Sequence, residues 1–286
     1  MIRPSRAGIA SALAALLLGV TGCATMDNAA QESAAGSCAK DKLRLVTAGQ
    51  LTIGTDKPAY EPWFKNDDPA GGQGFEAAVA YAVAEDLGFR RDEVKWTVVA
   101  FNDSYKPGRK KFDFDINQIS ITPERARSVT FSDGYYTVNQ AVVALNNSTI
   151  ANVSTIADLR NAKLGTQVGT TAVTFIDKVV KPRTRPVTYT DTDQAKQAMT
   201  AGQVDGIVTD LPTAFYLTSA EIENSRIVGQ FEPQGGSTEQ FGLLFEKNNP
   251  LVGCVNQALT ELRNTGELQR LEDTWLAESA GAPRLG

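Results

Sequence analysis

The order of apolar and polar residues predicts short strands that alternate with amphipathic helices from about residue 42 onward. A short apolar strand is predicted at Leu51 to Thr55, and a helix at Phe75 to Leu87, with Gly88 as its carboxyl-terminal stop. Alternation with a period of two predicts further strands at Val94 to Val98 and Phe112 to Ile116. Such alternation is typical of α/β proteins with mainly parallel sheets.

The same alternation continues to the end of the chain. We expect strands near residues 141–145, 187–190, 206–209, 226–229 and 241–245, and helices near residues 173–180 and 194–201. Two apolar stripes at helical spacing, separated by Gly266, predict a final pair of helices. Since about 245 ordered residues exceed the usual size of one domain, two lobes are expected.

The amino terminus carries the features of a bacterial export signal. Residues 1–22 are predicted to be a signal peptide, because Arg3 and Arg6 precede an apolar stretch that is too short to span a membrane. The small residues before Cys23 resemble a lipobox, in which the cysteine is lipidated and the chain is cut just before it. We expect residues 23–40 to hold the lipidated cysteine and a flexible tether. An ordinary secretory signal is the alternative.

The other two cysteines form an even pair if Cys23 carries lipid. In an oxidising compartment a disulfide between Cys38 and Cys254 is the usual outcome, and we expect that bridge. Two buried free thiols are the alternative.

Composition excludes several classes of function. The chain has no histidine, which removes Ser-His-Asp triads, Cys-His dyads and histidine-based zinc helices. It has 28 Lys and Arg against 33 Asp and Glu, a formal net charge of −5, and no basic stripe that would neutralise phosphates. We therefore expect no nucleic-acid partner, no cofactor and no metal site.

The tetrapeptide Thr122-Pro123-Glu124-Arg125 is the most informative local motif. Threonine as a cap and proline at the first helical position predict the start of a helix, with free backbone N–H groups. A cation there opposes the helix dipole, so Arg125 points to a bound anion such as a carboxylate. A surface salt bridge is the alternative.

Two further positions lie where open α/β sheets bind ligands. Gly169-Thr170-Thr171 leads into a predicted helix and offers a second group of N–H donors, although an ordinary strand-to-helix turn has the same sequence. Asp210 follows a buried strand, at the end where such sheets bind ligands, and helix capping is its alternative role.

Aromatic residues follow the first strand in the loop GTDKPAYEPWF. We expect Trp63 and Phe64 to pack in the core and Tyr60 to face a cleft. Asp113 and Asp115 share a strand face, which we expect to be solvated or ion-paired.

Together these segments resemble the family-3 extracellular solute-binding proteins, which deliver polar amino acids to ABC importers. The resemblance runs from Leu51 to Leu276, and its most specific segment is ISITPERARSVTFSDGYY, Ile119 to Tyr136. It implies an α/β fold of the type II periplasmic-binding-protein kind, a two-lobed clamshell joined by two crossing hinge strands. Lobe 1 would comprise residues 41–138 and 241–286, and lobe 2 residues 139–240.

The resemblance also implies how the polar ends of a ligand are held. In such proteins an arginine that matches Arg125 holds the α-carboxylate, helped by the Ser120 position and by backbone amides at Thr170. An aspartate that matches Asp210 receives the α-ammonium group. Because Arg125 and Asp210 would lie on different lobes, a zwitterionic amino acid can satisfy both only when the cleft closes.

The side chain of the ligand would be read by other residues. Positions that match Tyr60 and Phe101 line it, and the position of Asp56 can contact a polar tip. Gln118 stands where relatives often have a small residue, so side-chain specificity is open there. Asp56 favours a polar or basic amino acid, whereas an inward-pointing Lys57 would favour an acidic one.

The function implied by the resemblance is capture of a polar or basic amino acid and delivery to an ABC permease. The protein is expected to be a monomer without enzymatic activity, held outside the cytoplasm by lipid on Cys23. One alternative is a periplasmic enzyme similar to cyclohexadienyl dehydratase, with Asp56 or Glu61 as acid or base. Another is a ligand-sensing lipoprotein that takes no part in transport.

Overall fold

The computed structural model describes residues 38–231, 238–277 and 282–285. The predicted signal peptide, Cys23 and the predicted tether up to residue 37 lie outside these residues. Within the described ranges, no helix has the length and apolar character needed to cross a membrane.

The described residues follow the predicted alternation of strands and helices. The strands are β1 (Leu51–Thr55), β2 (Val94–Val98), β3 (Phe114–Asp115), β4 (Val129–Val138), β5 (Gln140–Leu145), β6 (Leu164–Gln167), β7 (Val187–Tyr189), β8 (Gly206–Asp210), β9 (Ser225–Phe231), β10 (Glu239–Glu246) and β11 (Arg284–Leu285). The helices are α1 (Phe75–Asp86), α2 (Phe101–Ser104), α3 (Thr171–Phe175), α4 (Thr192–Thr200), α5 (Leu211–Tyr216), α6 (Leu251–Asn264) and α7 (Glu267–Trp275). Helices α3 and α5 continue as π-helical turns through Ile176–Val180 and Leu217–Glu221.

The strands form two mixed sheets, not the mainly parallel ones expected. The first sheet has the order β2-β1-β3-β10-β4, in which β1 is parallel to β2 and β3 and β10 is antiparallel to β3 and β4. The second has the order β11-β9-β5-β8-β6-β7, in which β5 is antiparallel to β8 and β9. We call the part built on the first sheet lobe 1 and the part built on the second lobe 2.

From β1 to β10 the chain passes twice between the two sheets. It leaves the first sheet at the end of β4 and enters the second at the start of β5, with Asn139 between the two strands. It returns between the end of β9 and the start of β10. Because β10 re-enters from the other lobe, it runs against its neighbours, which explains the mixed first sheet.

The carboxyl-terminal strand corrects one predicted boundary. Arg284 and Leu285 pair with Gln230 and Phe231 of β9, so this end of the predicted 241–286 segment lies on the second sheet and not in lobe 1. Leu285 is buried, and a Cβ added to Gly229 would lie 2.6 Å from the Cγ of Leu285. The absence of a side chain at Gly229 therefore makes space for Leu285 of β11.

Lobe 1 is built around aromatic side chains. Trp63 and Phe64 are fully buried, as predicted, and the ring of Trp63 packs against the rings of Phe75, Tyr136 and Phe241 at centroid distances of 5.6–6.0 Å. Lobe 2 has apolar residues on both faces of its sheet. The apolar side chains packed against each sheet hold the strand ends in place at the cleft between the two lobes.

A disulfide joins Cys38 to Cys254 of α6, with 5.4 Å between the Cα atoms. Next to it, the ammonium of Lys40 pairs with Glu93 and lies 4.9 Å from the ring centroid of Phe89. The predicted tether of residues 23–40 is therefore too long, because residues 38–40 belong to the folded body of lobe 1.

Asp113 and Asp115 do not form a solvated or ion-paired face, and that prediction is wrong. Both are buried, because β3 is an inner strand whose two faces are covered. Asp113 accepts 2.7 Å hydrogen bonds from the backbone N–H groups of Val46 and Thr52. The Asp115 carboxyl has no hydrogen-bond partner in the described part of the chain, and burial raises its pKa well above the usual range.

Candidate functional site

A cavity lies between the two lobes, where strand ends of both sheets meet. Its lining comes from both sheets and their following loops. All of the residues predicted to contact a ligand line it: Asp56, Tyr60, Phe101, Gln118, Ser120, Arg125, Thr170 and Asp210. The structure therefore brings the predicted set together at one place.

Arg125 is a buried cation at the wall of this cavity. Its guanidinium carbon lies 5.3 Å from the ring centroid of Phe101 and 4.8 Å from that of Tyr105, so it is held by two aromatic faces. Nη1 donates to the carbonyl of Ser120 at 2.8 Å, and Nη2 donates to the carbonyl of Gly169 at 2.9 Å. Burial lowers the pKa of this group from its usual value. A guanidinium has five N–H donors, so donors remain for an anion.

The backbone at Arg125 differs from the predicted helix start. Residues Arg125–Arg127 form only a single 3-10 turn, in which the Thr122 hydroxyl accepts from the N–H of Arg125 at 3.1 Å. The β-branched and aromatic residues of β4 begin at Val129 and favour extended backbone, which ends the turn. Orientation of the guanidinium thus comes from ring stacking and carbonyl contacts, not from a helix dipole.

Asp210 ends β8 and caps α5, so its predicted alternative role as a helix cap is confirmed. Its carboxylate accepts a 2.9 Å hydrogen bond from the N–H of Thr213. Burial raises its pKa to about 6, although that hydrogen bond acts in the opposite direction and the nearby Glu239 charge adds to the rise. Such a poorly solvated carboxylate is stabilised by any cation that enters the cavity.

Gly169 and Thr170 precede α3, where lobe 2 touches lobe 1. Gly169 has a φ of 81°, and a Cβ added to it would lie 1.9 Å from Oδ1 of Asn102, so only glycine fits. The Thr170 hydroxyl donates to the carbonyl of Gln167 at 2.8 Å. The close approach of Gly169 to Asn102 and Arg125 closes the cleft at this point.

A second direct contact joins the lobes at Thr213, which lines the cavity. The indole Nε1 of Trp63 donates to the hydroxyl of Thr213 at 2.8 Å, and this hydrogen bond is buried. It links the loop after β1 to helix α5 and so fixes the distance between lobe 1 and Asp210.

Asp56 and Tyr60 form the end of the cavity where a ligand side chain is expected. The Asp56 carboxylate accepts from the backbone N–H groups of Lys57 at 2.7 Å and Phe101 at 3.1 Å, and burial raises its pKa. Burial also raises the pKa of Tyr60, whose hydroxyl has no hydrogen-bond partner in the described part of the chain. Lys57 pairs with Asp67 at 2.9 Å and does not line the cavity.

Gln118 is held in an unusual conformation by a buried acid. Its φ is 45°, its backbone N–H donates to Glu76 at 2.6 Å, and its side-chain amide donates to the other oxygen of Glu76. Glu76 is fully buried and also accepts from the hydroxyl of Tyr135, and burial raises its pKa to about 7. The amide of Gln118 is therefore directed towards Glu76, while the residue still lines the cavity.

Glu239, beside the cavity, and the lining residues Asn117, Gln140 and Thr166 were not predicted from the sequence. The Glu239 carboxylate accepts from the hydroxyls of Ser120 and Thr171 and from the side-chain amide of Gln140. The only local signal is an acidic residue directly before a predicted apolar strand, which is usual at a strand end. The long-range pairing that brings these four residues together has no counterpart in the sequence pattern.

Comparison with known proteins gives consistent matches over most of the chain. A family model described as bacterial extracellular solute-binding proteins, family 3, matches residues 51–278. The L-cystine-binding protein TcyJ of Escherichia coli (strain K12) is 28% identical over 265 residues, which cover 91% of this chain and 94% of TcyJ. The L-arginine-binding protein of Pseudomonas aeruginosa is 26% identical over 249 residues, with 82% and 94% covered.

A solved structure supports the same comparison. The crystal structure of the ancestral amino acid-binding protein AncCDT-1, described as a precursor of cyclohexadienyl dehydratase, matches with a TM-score of 0.65 and 28% sequence identity. The match covers 79% of this chain and 95% of that protein. All three proteins are named for binding an amino acid.

Proposed function

The chain belongs to the family 3 bacterial extracellular solute-binding proteins and has the two-lobed α/β fold of the type II periplasmic binding proteins, and on this premise we propose that it captures an amino acid by cleft closure. The observation that carries the proposal is the pair Arg125 and Asp210. They line one cavity, carry opposite charges and come from different lobes. A free amino acid is the small molecule whose charges match both.

The mechanism follows from burial of these two charges. Arg125 offers N–H donors to an α-carboxylate, and Asp210 offers an acceptor to an α-ammonium group. Hydrogen bonds to charged groups contribute about 1.5–3 kcal/mol each. A ligand that binds the closed form better by about 5.5 kcal/mol moves the population from almost all open to almost all closed. The ligand itself thus holds the two lobes together.

We propose a polar or basic amino acid as the ligand. Among the described residues that line the cavity, Asp56 and Asp210 are the carboxylates and Arg125 is the cation. Lys57 is engaged with Asp67, which argues against an acidic ligand at the Asp56 end. The names of TcyJ and of the Pseudomonas protein, which refer to L-cystine and L-arginine, support a ligand with a polar or charged side chain.

Binding is favoured over catalysis by the surroundings of the two acids considered for chemistry. Both oxygens of Asp56 accept backbone N–H bonds, which hold the carboxylate in one orientation. Glu61 accepts from the N–H of Asn66 at 3.2 Å and does not line the cavity. The backbone bonds of Asp56 and the position of Glu61 outside the cavity lining therefore favour binding over catalysis.

We further propose that the protein acts outside the cytoplasm as a monomer and delivers its ligand to an ABC permease. The description of its family as extracellular supports this location. Lipid on Cys23 would hold it at the membrane, as the lipobox-like sequence suggests. Metabolic labelling with a palmitate analogue tests the anchor, and loss of the label in Cys23→Ser is the expected result.

A thermal-shift screen against the twenty amino acids and L-cystine tests the proposed function. A ligand that binds only the folded protein raises the melting temperature with the logarithm of its concentration, by about 2.7 kcal/mol in stability at 100 times its dissociation constant. We expect one polar or basic amino acid, or a small group of them, to stabilise the protein and to show one-to-one binding by calorimetry. No stabilisation by any of them would contradict the proposal.

A further inference from the structure

The buried hydrogen bond between Trp63 and Thr213 joins two residues that are each fixed within a different lobe. The indole Nε1 donates to the Thr213 hydroxyl over 2.8 Å, and both side chains are buried. Trp63 belongs to lobe 1, where its backbone carbonyl accepts from the N–H of Glu76 in α1 at 3.0 Å. Thr213 belongs to α5 of lobe 2, whose residues Leu211 and Ala214 lie in the core of that lobe. The bond therefore depends on how close the two lobes are.

The rigid setting of Trp63 makes this bond sensitive to cleft opening. The Trp63 ring packs against the rings of Phe75, Tyr136 and Phe241, so it cannot follow α5 when the lobes separate. A hydrogen bond is lost beyond roughly 3.5 Å between its heavy atoms, so a small opening movement breaks this one. In an open cleft, water accepts from the indole N–H. Closure thus replaces water by the Thr213 hydroxyl.

The acceptor hydroxyl of Thr213 lies beside the binding carboxylate. Burial raises the pKa of Asp210 to about 6, and hydrogen bonds from the backbone and the side chain of Thr213 act in the opposite direction. A hydroxyl has one hydrogen, and since its oxygen accepts from Trp63, that hydrogen is available to the Asp210 carboxylate. Hydrogen bonds in such a chain strengthen one another. Lobe 1 thus acts on Asp210 through Thr213.

We propose that Trp63 is a positioning residue for ligand capture, whose N–H binds Thr213 on closure and stabilises the closed form equally for every ligand. We call this bond the latch. The inference rests on the proposed function and goes beyond it, because the latch belongs to the protein and not to the ligand. Trp63 does not line the cavity, whereas Thr213 does. The contribution of the latch is therefore independent of the ligand side chain.

A contact that forms after the ligand has entered affects the two binding rates differently. The latch is absent while the cleft is open, so its removal leaves the association rate constant unchanged. Its removal makes opening easier, so the dissociation rate constant rises by the factor by which the affinity falls. A distorted cavity would instead change the preference among ligands.

The experiment compares wild type with Trp63→Phe, which keeps an aromatic ring in lobe 1 and removes the N–H group. The probes are those of L-arginine, L-histidine, L-glutamine and L-cystine that the wild type binds. Calorimetry gives each affinity, and release of the radiolabelled amino acid into excess unlabelled ligand gives the dissociation rate constant. We expect every affinity to fall by the same factor, about two- to tenfold, with an equal rise in the dissociation rate constant. Unequal factors would overturn the inference.

A second variant keeps the size of the side chain, because Phe is smaller than Trp. The amino acid 3-benzothienylalanine, incorporated at residue 63, has a double ring like that of Trp with sulfur in place of the N–H group. It should lose affinity as Trp63→Phe does. Full wild-type affinity in this variant would show that only packing matters and would refute the latch. Thermal unfolding without ligand shows whether each variant is folded.

Trp96→Phe is the matched control. The indole Nε1 of Trp96 donates to the hydroxyl of Tyr81 at 3.3 Å, and both residues belong to lobe 1 and lie outside the cavity lining. This variant removes an indole hydrogen bond that does not cross the cleft, so its affinities should equal those of wild type. A loss as large as that of Trp63→Phe would assign the effect to lobe 1 stability and contradict the proposal.

A double-mutant cycle gives an independent readout. Thr213→Ser keeps the hydroxyl, so Trp63→Phe should cost as much affinity in that background as in wild type. Thr213→Val removes the hydroxyl, so Trp63→Phe should cost little or nothing further there. Additive losses in the Thr213→Val background would overturn the inference. A wild-type protein that binds none of the four probes would instead refute the proposed function, which is a distinguishable result.

Discussion

The carboxylate of Asp210 accepts a 2.9 Å hydrogen bond from the backbone N–H of Thr213, so one side chain both caps helix α5 and lines the cavity. Asparagine caps helices about as well as aspartate does. The substitution Asp210→Asn therefore removes the charge and keeps the cap. This separates the binding role of the residue from its structural role.

The first prediction is that Asp210→Asn weakens amino acid binding by about tenfold or more, since a charged hydrogen bond contributes about 1.5–3 kcal/mol. Calorimetry measures the affinity, and urea unfolding should show nearly wild-type stability. The exposed Asp133→Asn is a control that removes one surface charge. Unchanged affinity in a folded Asp210→Asn protein would remove Asp210 from the site.

Binding should also depend on pH through Asp210. Its pKa is about 6 without ligand, and the ammonium group of a ligand is held by the ionised form. Affinity is therefore expected to be constant above pH 7 and to fall by up to about tenfold per unit well below pH 6. Titrations between pH 5 and pH 8 measure this slope, which should be smaller in Asp210→Asn. A slope of equal size in that variant would assign the dependence to another group.

Asp56 should determine the choice between basic and neutral ligands. Asp56→Asn is expected to lower affinity for L-arginine by about tenfold more than affinity for L-glutamine, because a carboxylate pairs with a cation and an amide does not. Glu61→Gln is the matched control, since Glu61 lies in the same loop but does not line the cavity. Equal losses of affinity for both ligands would mean that Asp56 supports the cavity wall and does not contact the ligand side chain.

The disulfide between Cys38 and Cys254 should stabilise lobe 1. It joins residues that are 216 apart in sequence, so chain-entropy reasoning allows up to about 5 kcal/mol. When the protein is alkylated without reductant, mass spectrometry should find no alkylated cysteine other than Cys23. The double variant with Ser at residues 38 and 254 is expected to melt several degrees lower. Alkylation of Cys38 and Cys254 in the unreduced protein would refute the bridge.

Glu76 should make stability fall as pH rises. Its pKa is about 7 in the folded protein and lower in the unfolded chain, so the folded state holds a proton that the unfolded state has lost. From about pH 4.5 to pH 7 this group lowers stability by about 3 kcal/mol at most, and above pH 7 its contribution is constant. Asp210 acts in the same direction up to about pH 6.

The variant Glu76→Gln tests this pH dependence. It is neutral at every pH, and the side-chain amide of Gln118 can turn over to meet it. Urea unfolding at pH 5, 6, 7 and 8 should show a clearly smaller decrease in stability than in wild type. Parallel curves for the two proteins would show that Glu76 stays ionised in the folded state.

The sequence predicted the fold well because the fold depends on local patterns. The strands at β1, β2 and β8 and the helices α1 and α4 follow from period-two and helical spacing of apolar residues. The burial of Trp63 and the cysteine bridge were also predicted. Each of these features depends on residue type or on neighbours in the chain.

What the sequence did not predict depends on contacts between distant segments. Asp115 is buried because β10, more than 120 residues later, pairs with β3 and covers it. The expected helix at Arg125 is a single turn because β4 begins directly after it. Glu239 meets Ser120 and Thr171 only through the pairing of both lobes. The spacing of residue types along a single sequence does not predict these long-range contacts.

The most direct test of the account is the affinity of Arg125→Ala for the ligand found in the thermal-shift screen. Arg125 is the cation of the cavity among its described lining residues, and its loss leaves the ligand carboxylate unpaired. Calorimetry should show a loss of about 3–5 kcal/mol, whereas the control Arg127→Ala, exposed two residues away, should bind as wild type does. A loss of less than about threefold in a folded Arg125→Ala protein would contradict the central claim, since such pairs are worth far more.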